Sequence, residues 1–127
     1  MIRALVDEVV PIDLVSVLSN EQIAVDIFPE RWRSLSDGAV ITNAIAEGYA
    51  WLITCDKRMA FQQNLSGSAI SVLVLPTPRV PEMERIQRNV RAVLRKPVPG
   101  HFVILDADGL LIGKPMSHLT GPAKRIP

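Results

Sequence analysis

Short apolar runs that alternate with segments of helical spacing constrain this chain more than any other feature. "IRALV" (2–6), "QIAVDIF" (22–28), the run 50–54 ending in "WLIT", "AISVLVLP" (69–76) and "HFVILD" (101–106) have the length and residue types of buried strands. Between the first two, Pro11 fits the first turn of a helix predicted to run to about Asn20, with Ile12, Val15 and Leu18 or Val17 on one face. Ser36 or Asp37 can cap a second helix, where Val40, Ile41, Ala44 and Ile45 share a face and Gly48 suits the left-handed residue after its end. A short third helix is predicted from about Lys57 to Asn64. A fourth is predicted over Glu82–Arg95, with Met83, Ile86, Val90 and Val93 as its apolar stripe. Strands that alternate with helices pair in parallel, because each crossover helix returns the chain to the same end of the sheet. The expected fold is therefore α/β: three layers, a central mainly parallel sheet with helices on both faces.

The size suits one domain, since 127 residues can bury a single core. A 48% hydrophobic content argues against disorder, and no apolar run is long enough to span a bilayer. No secretory pattern opens the chain, and Cys55, the single cysteine, can form neither an internal disulfide nor a zinc site. A cytoplasmic setting is expected. The net charge of +1 neither favours nor excludes nucleic acid, so the local placement of charge must decide. Residues 1–113 are expected to form the domain, closed by a hairpin, "DADGLLIG", turned at Asp108-Gly109. Residues 114–127 are expected to be a flexible tail.

The parallel sheet gives its acids a meaning. Ligands of open α/β sheets bind outside the carboxyl ends of the strands. Asp7 and Glu8 follow the first predicted strand, Asp56 follows the third, and Asp37 opens a helix. Carboxylates gathered at one edge repel and raise each other's pKa unless a cation neutralises them. Magnesium or manganese answers that need, because hard divalent ions prefer oxygen ligands. Each aspartate taken alone also fits a helix cap. Asp13, Asp26, Asp106 and Asp108 read as surface, strand-edge or turn residues.

Three motifs in order carry a resemblance. "LVDEVVP", "SDGAVITNAIAEG" and "WLITCDKRM" resemble the short PIN-like proteins related to VapC-type toxin ribonucleases, over roughly half of the chain, from Ile2 to about Phe61. The resemblance implies a PIN-like fold and a Mg- or Mn-dependent endoribonuclease, the toxin of a toxin–antitoxin pair, acting on RNA and paired with a small antitoxin protein. It implies Asp7, Asp37 and Asp56 as metal ligands and catalytic acids, with Glu8 beside them. Two departures stand out. Where the relatives carry a further acid and then an aromatic, this chain has Arg58 and Met59, and Val9 replaces an amide residue. Arg58, with Lys57, could grip a substrate phosphate. Alternatively, Arg58 could pair with Asp56 or Asp7 and impair the site, leaving a non-catalytic module that binds RNA or protein.

Other features bear less on chemistry. Arg85, Arg88, Arg91 and Arg95 recur at intervals of three, three and four, as a phosphate-binding face or an ordinary solvated one. Trp32, between Arg31 and Arg33, could stack on a base but reads rather as a loop anchor. His101 and His118 belong to no triad, and "SGS" (66–68) is too short for a phosphate loop. The apolar hairpin Leu110, Leu111 and Ile112 points to a homodimer.

Overall fold

The computed structural model describes residues 1–112 and 124–125. Gly113, His118 and most of the segment expected to be a flexible tail lie outside the described residues. Among the described residues the order is β1 (Ile2–Val6), α1 (Asp13–Leu18), β2 (Ile23–Asp26), a 3₁₀ turn (Glu30–Trp32), α2 (Asp37–Ala46), β3 (Trp51–Thr54), α3 (Arg58–Gln62), β4 (Gln63–Asn64), β5 (Ser71–Val74), α4 (Val80–Leu94), β6 (Phe102–Ile104) and β7 (Lys124–Arg125). A five-stranded sheet has the order β2-β1-β3-β5-β6, and every pairing in it is parallel. The α/β architecture expected from the strand–helix alternation is the one observed.

Side-chain alternation along each strand separates two cores. Ala4, Val6, Trp51, Ile53, Leu73 and Val103 face one layer, where α1 contributes Leu14 and Leu18 and α4 contributes Met83, Ile86, Val90 and Leu94. Leu5, Leu52, Val72, Val74 and Phe102 face the other, against Val40, Ile41 and Ala44 of α2 and Met59 and Ala60 of α3. The two-residue period of an extended chain makes this division. Every residue of β3 and β5 is buried, as expected of central strands covered on both faces. The connections through α1, α2 and α3 share one hand. The β5–α4–β6 connection advances in the same direction as the one through α3 but lies on the opposite face, so its hand is opposite. Such reversals are rare in parallel sheets.

The differences from the expected boundaries have local causes. The helix after Pro11 is shorter than expected: it spans Asp13–Leu18, with Pro11 and Ile12 in the turn before it, and ends at an extended Ser19. The third helix stops at Gln62, because Gln63 and Asn64 pair with Lys124 and Arg125, a contact no local pattern announces. The fourth helix starts earlier, at Val80, with Pro81 in its first turn where a missing N–H costs nothing. Its stripe ends on buried Leu94, with Val93 only half-buried. After β6 the chain turns as expected. Asp106 Oδ1 accepts from the amides of Asp108 (2.9 Å) and Leu110 (3.0 Å), Gly109 takes φ +76°, and Leu105 bridges Leu111 in antiparallel fashion. A Cβ on Gly109 would meet Ile86 and Asn89 side chains at 3.1 Å, so both backbone and space require glycine there.

Two arginines of the series on α4 are committed to the fold. Arg85 donates to the Ala107 carbonyl at 2.6 Å and pairs with Asp108, and Arg91 donates to the Val17 carbonyl at 2.6 Å. These bonds tie α4 to the turn after β6 and to α1. Trp32 is the buried anchor its loop context suggested, packed edge-to-face against Phe28 at 6.2 Å.

Candidate active site at the carboxyl edge of the sheet

The strand order locates a crevice. From β1 the chain leaves through α1 on one face of the sheet, and from the adjacent β3 it leaves through α3 on the other. Two neighbouring parallel strands whose connections diverge in this way open a switch point at their carboxyl ends. Asp7 follows β1 there, and Asp56 follows β3.

Asp7 is buried at 7% exposure and fixed on every side. Its amide donates to the Ile53 carbonyl at 2.7 Å, extending the β1–β3 ladder by one step. Its Oδ1 accepts from the Glu8 amide at 2.9 Å and its Oδ2 from the Thr54 hydroxyl at 3.0 Å. Thr54 Oγ1 in turn accepts from the Asp56 amide at 3.0 Å. One hydroxyl therefore connects the ends of both strands. Burial pushes the Asp7 carboxyl above the usual carboxylate range, against the lowering effect of these two hydrogen bonds, and the charges of Asp37 and Glu8 add to the rise.

Asp37 reaches the same region from the start of α2. Ser36 takes the capping role, its Oγ accepting from the Ala39 amide at 3.2 Å, which leaves Asp37 in the first turn with its carboxylate uncommitted. Among the described residues that carboxylate makes no hydrogen bond or ion pair. Its pKa is raised by partial burial first and by the charge of Asp56 second, with Arg58 pulling the other way.

Asp56 is committed. Its Oδ1 accepts both the Arg58 amide at 2.9 Å and the Arg58 Nε at 3.2 Å, and its carbonyl receives the Met59 amide. It thus closes the turn that starts α3 while forming an ion pair with the arginine two residues on. The pair is cheap to break, because the Arg58 side chain is 80% exposed. Glu8 and Lys57 are exposed at the rim. Cys55, between Thr54 and Asp56, is half-buried, and burial together with the Asp7 charge pushes its thiol up to about 11, so it is no nucleophile at neutral pH.

The structure thus couples Asp7, Asp37 and Asp56 electrostatically. Among the described residues, however, no three His, Cys, Asp or Glu side chains lie close enough to hold a metal ion as they stand. The donor chemistry still suits magnesium or manganese in a limited form. Such ions are often held by one or two carboxylates, with waters and substrate phosphate completing the shell. Asp7 and Asp37 fit that description, two acids raised first by burial and then by neighbouring carboxylates, Asp37 and Glu8 acting on Asp7 and Asp56 acting on Asp37. Asp56 fits only once Arg58 releases it. Thr54 is the site residue that sequence reasoning missed. Its signal was a hydroxyl ending an otherwise apolar strand, in register beside Asp7.

No family model matches this chain, and neither does any curated protein or solved structure.

Proposed function

We propose that the protein is a PIN-type endoribonuclease that requires magnesium or manganese. The observation that carries this reading is Asp37: a half-buried carboxylate that makes no hydrogen bond or ion pair among the described residues, raised by the charge of Asp56 and itself raising Asp7. Partial burial and the nearby charge of Asp56 make its ionised form costlier, and a bound cation would offset that cost. Asp7 and Asp37 would hold the ion, and when bound it supplies Lewis-acid activation of water and of the phosphodiester. Thr54 holds the Asp7 carboxylate in place, and Glu8 adds negative charge at the rim. Lys57 and Arg58 follow Asp56 in the chain and are exposed, so either cation can meet a substrate phosphate. The resemblance of the three motifs to the VapC-type toxins extends the proposal to a cytoplasmic toxin restrained by a small antitoxin protein.

A second reading rests on the Arg58–Asp56 pair. If that pair persists with RNA present, the third acid stays withdrawn, and the domain is a non-catalytic module that binds RNA or protein through the same crevice. Incubation of single-stranded RNA with the protein in Mn²⁺ or in EDTA separates the readings. Mn-dependent cleavage that Asp56→Asn abolishes, with the thermal midpoint unchanged, supports the nuclease, because asparagine caps about as well as aspartate. Binding without cleavage supports the module.

We also propose a homodimer. Leu110, Leu111 and Ile112 are each about half exposed, and Leu111 lines a groove of about 270 Å³ with Ala92, Val93, Lys96, Val98 and Val103. Light scattering that shows only monomer at high concentration would refute it.

A further inference from the structure

We propose that the cavity beside Asp7 is a subsite for one unstacked nucleobase of single-stranded RNA, preferring bases that carry an amino group. The inference rests on the ribonuclease reading and specifies its substrate. The cavity measures about 290 Å³ and lies between the segment after β1 and the segment after β2. Val10, Ile12, Ile27, Phe28 and Pro29 form apolar walls, and Asp7, Glu8, Glu30 and Arg33 supply the polar groups.

Three features fit a base. Ile12 and Ile27 are 65% and 53% exposed at this cavity, a cost that a flat apolar ligand would remove. Phe28, which also lines the cavity, is packed edge-to-face against buried Trp32, so this stretch of its wall is already ordered before binding. The polar groups are mainly carboxylates. They repel phosphate but accept hydrogen bonds from the amino groups of guanine, adenine and cytosine, which uracil lacks. Arg33 pairs with Glu30 at 3.3 Å, yet both side chains are mostly exposed, so the arginine can exchange that weak partner for the adjoining phosphate. A paired base cannot leave its stack to enter such a cavity without unpairing, whereas a single strand can splay its bases out.

The test uses the full 127-residue chain in EDTA, so that binding is read without cleavage. Fluorescence anisotropy compares short single-stranded oligonucleotides of cytosine or adenine with one of uracil, one with abasic sites, and a duplex. The proposal expects the amino-bearing strands to bind at least fivefold more tightly than the others, and Ile27→Ser to erase that difference. Ile12→Ser is the second variant, since both positions are exposed and neither change should unfold the domain. Equal binding of abasic, uracil and cytosine strands, or the same preferences in both variants, overturns the subsite. So does loss of a dimer on Ile27→Ser with RNA preferences kept, which would assign the cavity to a second copy. A parallel cleavage assay in Mn²⁺ keeps the two ideas apart. Cleavage of every strand alike by wild type and variants rejects the subsite and leaves the nuclease standing. If the wild type neither binds nor cleaves any RNA, both fall together.

Discussion

Thr54 donates its hydroxyl to Asp7 Oδ2 at 3.0 Å, across the junction where β3 and β1 end side by side. The register that sets Val6 against Ile53 puts the next residue of each strand, an acid and a hydroxyl, within reach. Because the same oxygen accepts the Asp56 amide, one buried side chain fixes both a candidate ligand and the turn that carries another.

Thr54→Val keeps the shape and removes that link. It leaves Asp7 Oδ2 and the Asp56 amide without their partner, at a cost of about 1–3 kcal/mol in chemical denaturation. Loss of a hydrogen bond that favours the charged form should also raise the Asp7 pKa further, measurable by NMR titration. Thr54→Ser should retain most of both properties.

Asp7 gives the pH dependence a definite sign. Its folded-state pKa is raised above the ordinary value of 3.8, mainly by burial. Its stabilising contribution is therefore fully present below that ordinary value and is lost as pH rises through the raised one. At neutral pH the buried charge weakens the fold. Asp7→Asn should raise the thermal midpoint at pH 7, and the gap to wild type should shrink as the pH falls through the raised pKa and close below 3.8. Cleavage and metal binding should be lost in the same variant. A site that trades stability for function behaves in this way.

The sequence made the sheet legible because its strands are short, apolar and strictly alternated with helices, so burial on both faces follows from pattern alone. The acids at its edge were legible for the same reason: a residue just after a parallel strand lies at the sheet's carboxyl end. Thr54 was not singled out, since one hydroxyl closing "WLIT" means nothing until register sets it beside Asp7. The same limit applies to Gln63 and Asn64, whose pairing with Lys124 and Arg125 joins residues 61 positions apart in an element too short to have a period. Pairing of Arg58 with Asp56, anticipated as one of two roles, is the arrangement observed. The spacing of Arg85, Arg88, Arg91 and Arg95 suggested one face, but only the fold reveals that the turn after β6 engages Arg85 and that α1 engages Arg91.

Arg58→Asp separates a working cation from an obstructive one. If Arg58 withdraws Asp56 from the crevice, the substitution frees that carboxylate and adds another, and Mn²⁺ affinity should rise by about tenfold or more. If Arg58 serves a substrate phosphate, metal binding should rise while RNA cleavage falls. Calorimetry with Mn²⁺ alone, paired with a cleavage assay, reads both. Unchanged Mn²⁺ affinity would show that the ion pair does not govern the site.

The unpartnered carboxylate of Asp37 tests the central claim most directly. Isothermal titration of Mn²⁺ into wild type and Asp37→Asn asks whether the acids at the carboxyl edge form a metal site at all. The prediction is one-to-one binding in the wild type, loss of at least tenfold in affinity in Asp37→Asn, and a thermal midpoint unchanged or higher in the variant, because a half-buried charge is removed while Ser36 keeps the helix cap. Absence of Mn²⁺ binding by the wild type, or equal binding by both proteins, would contradict it.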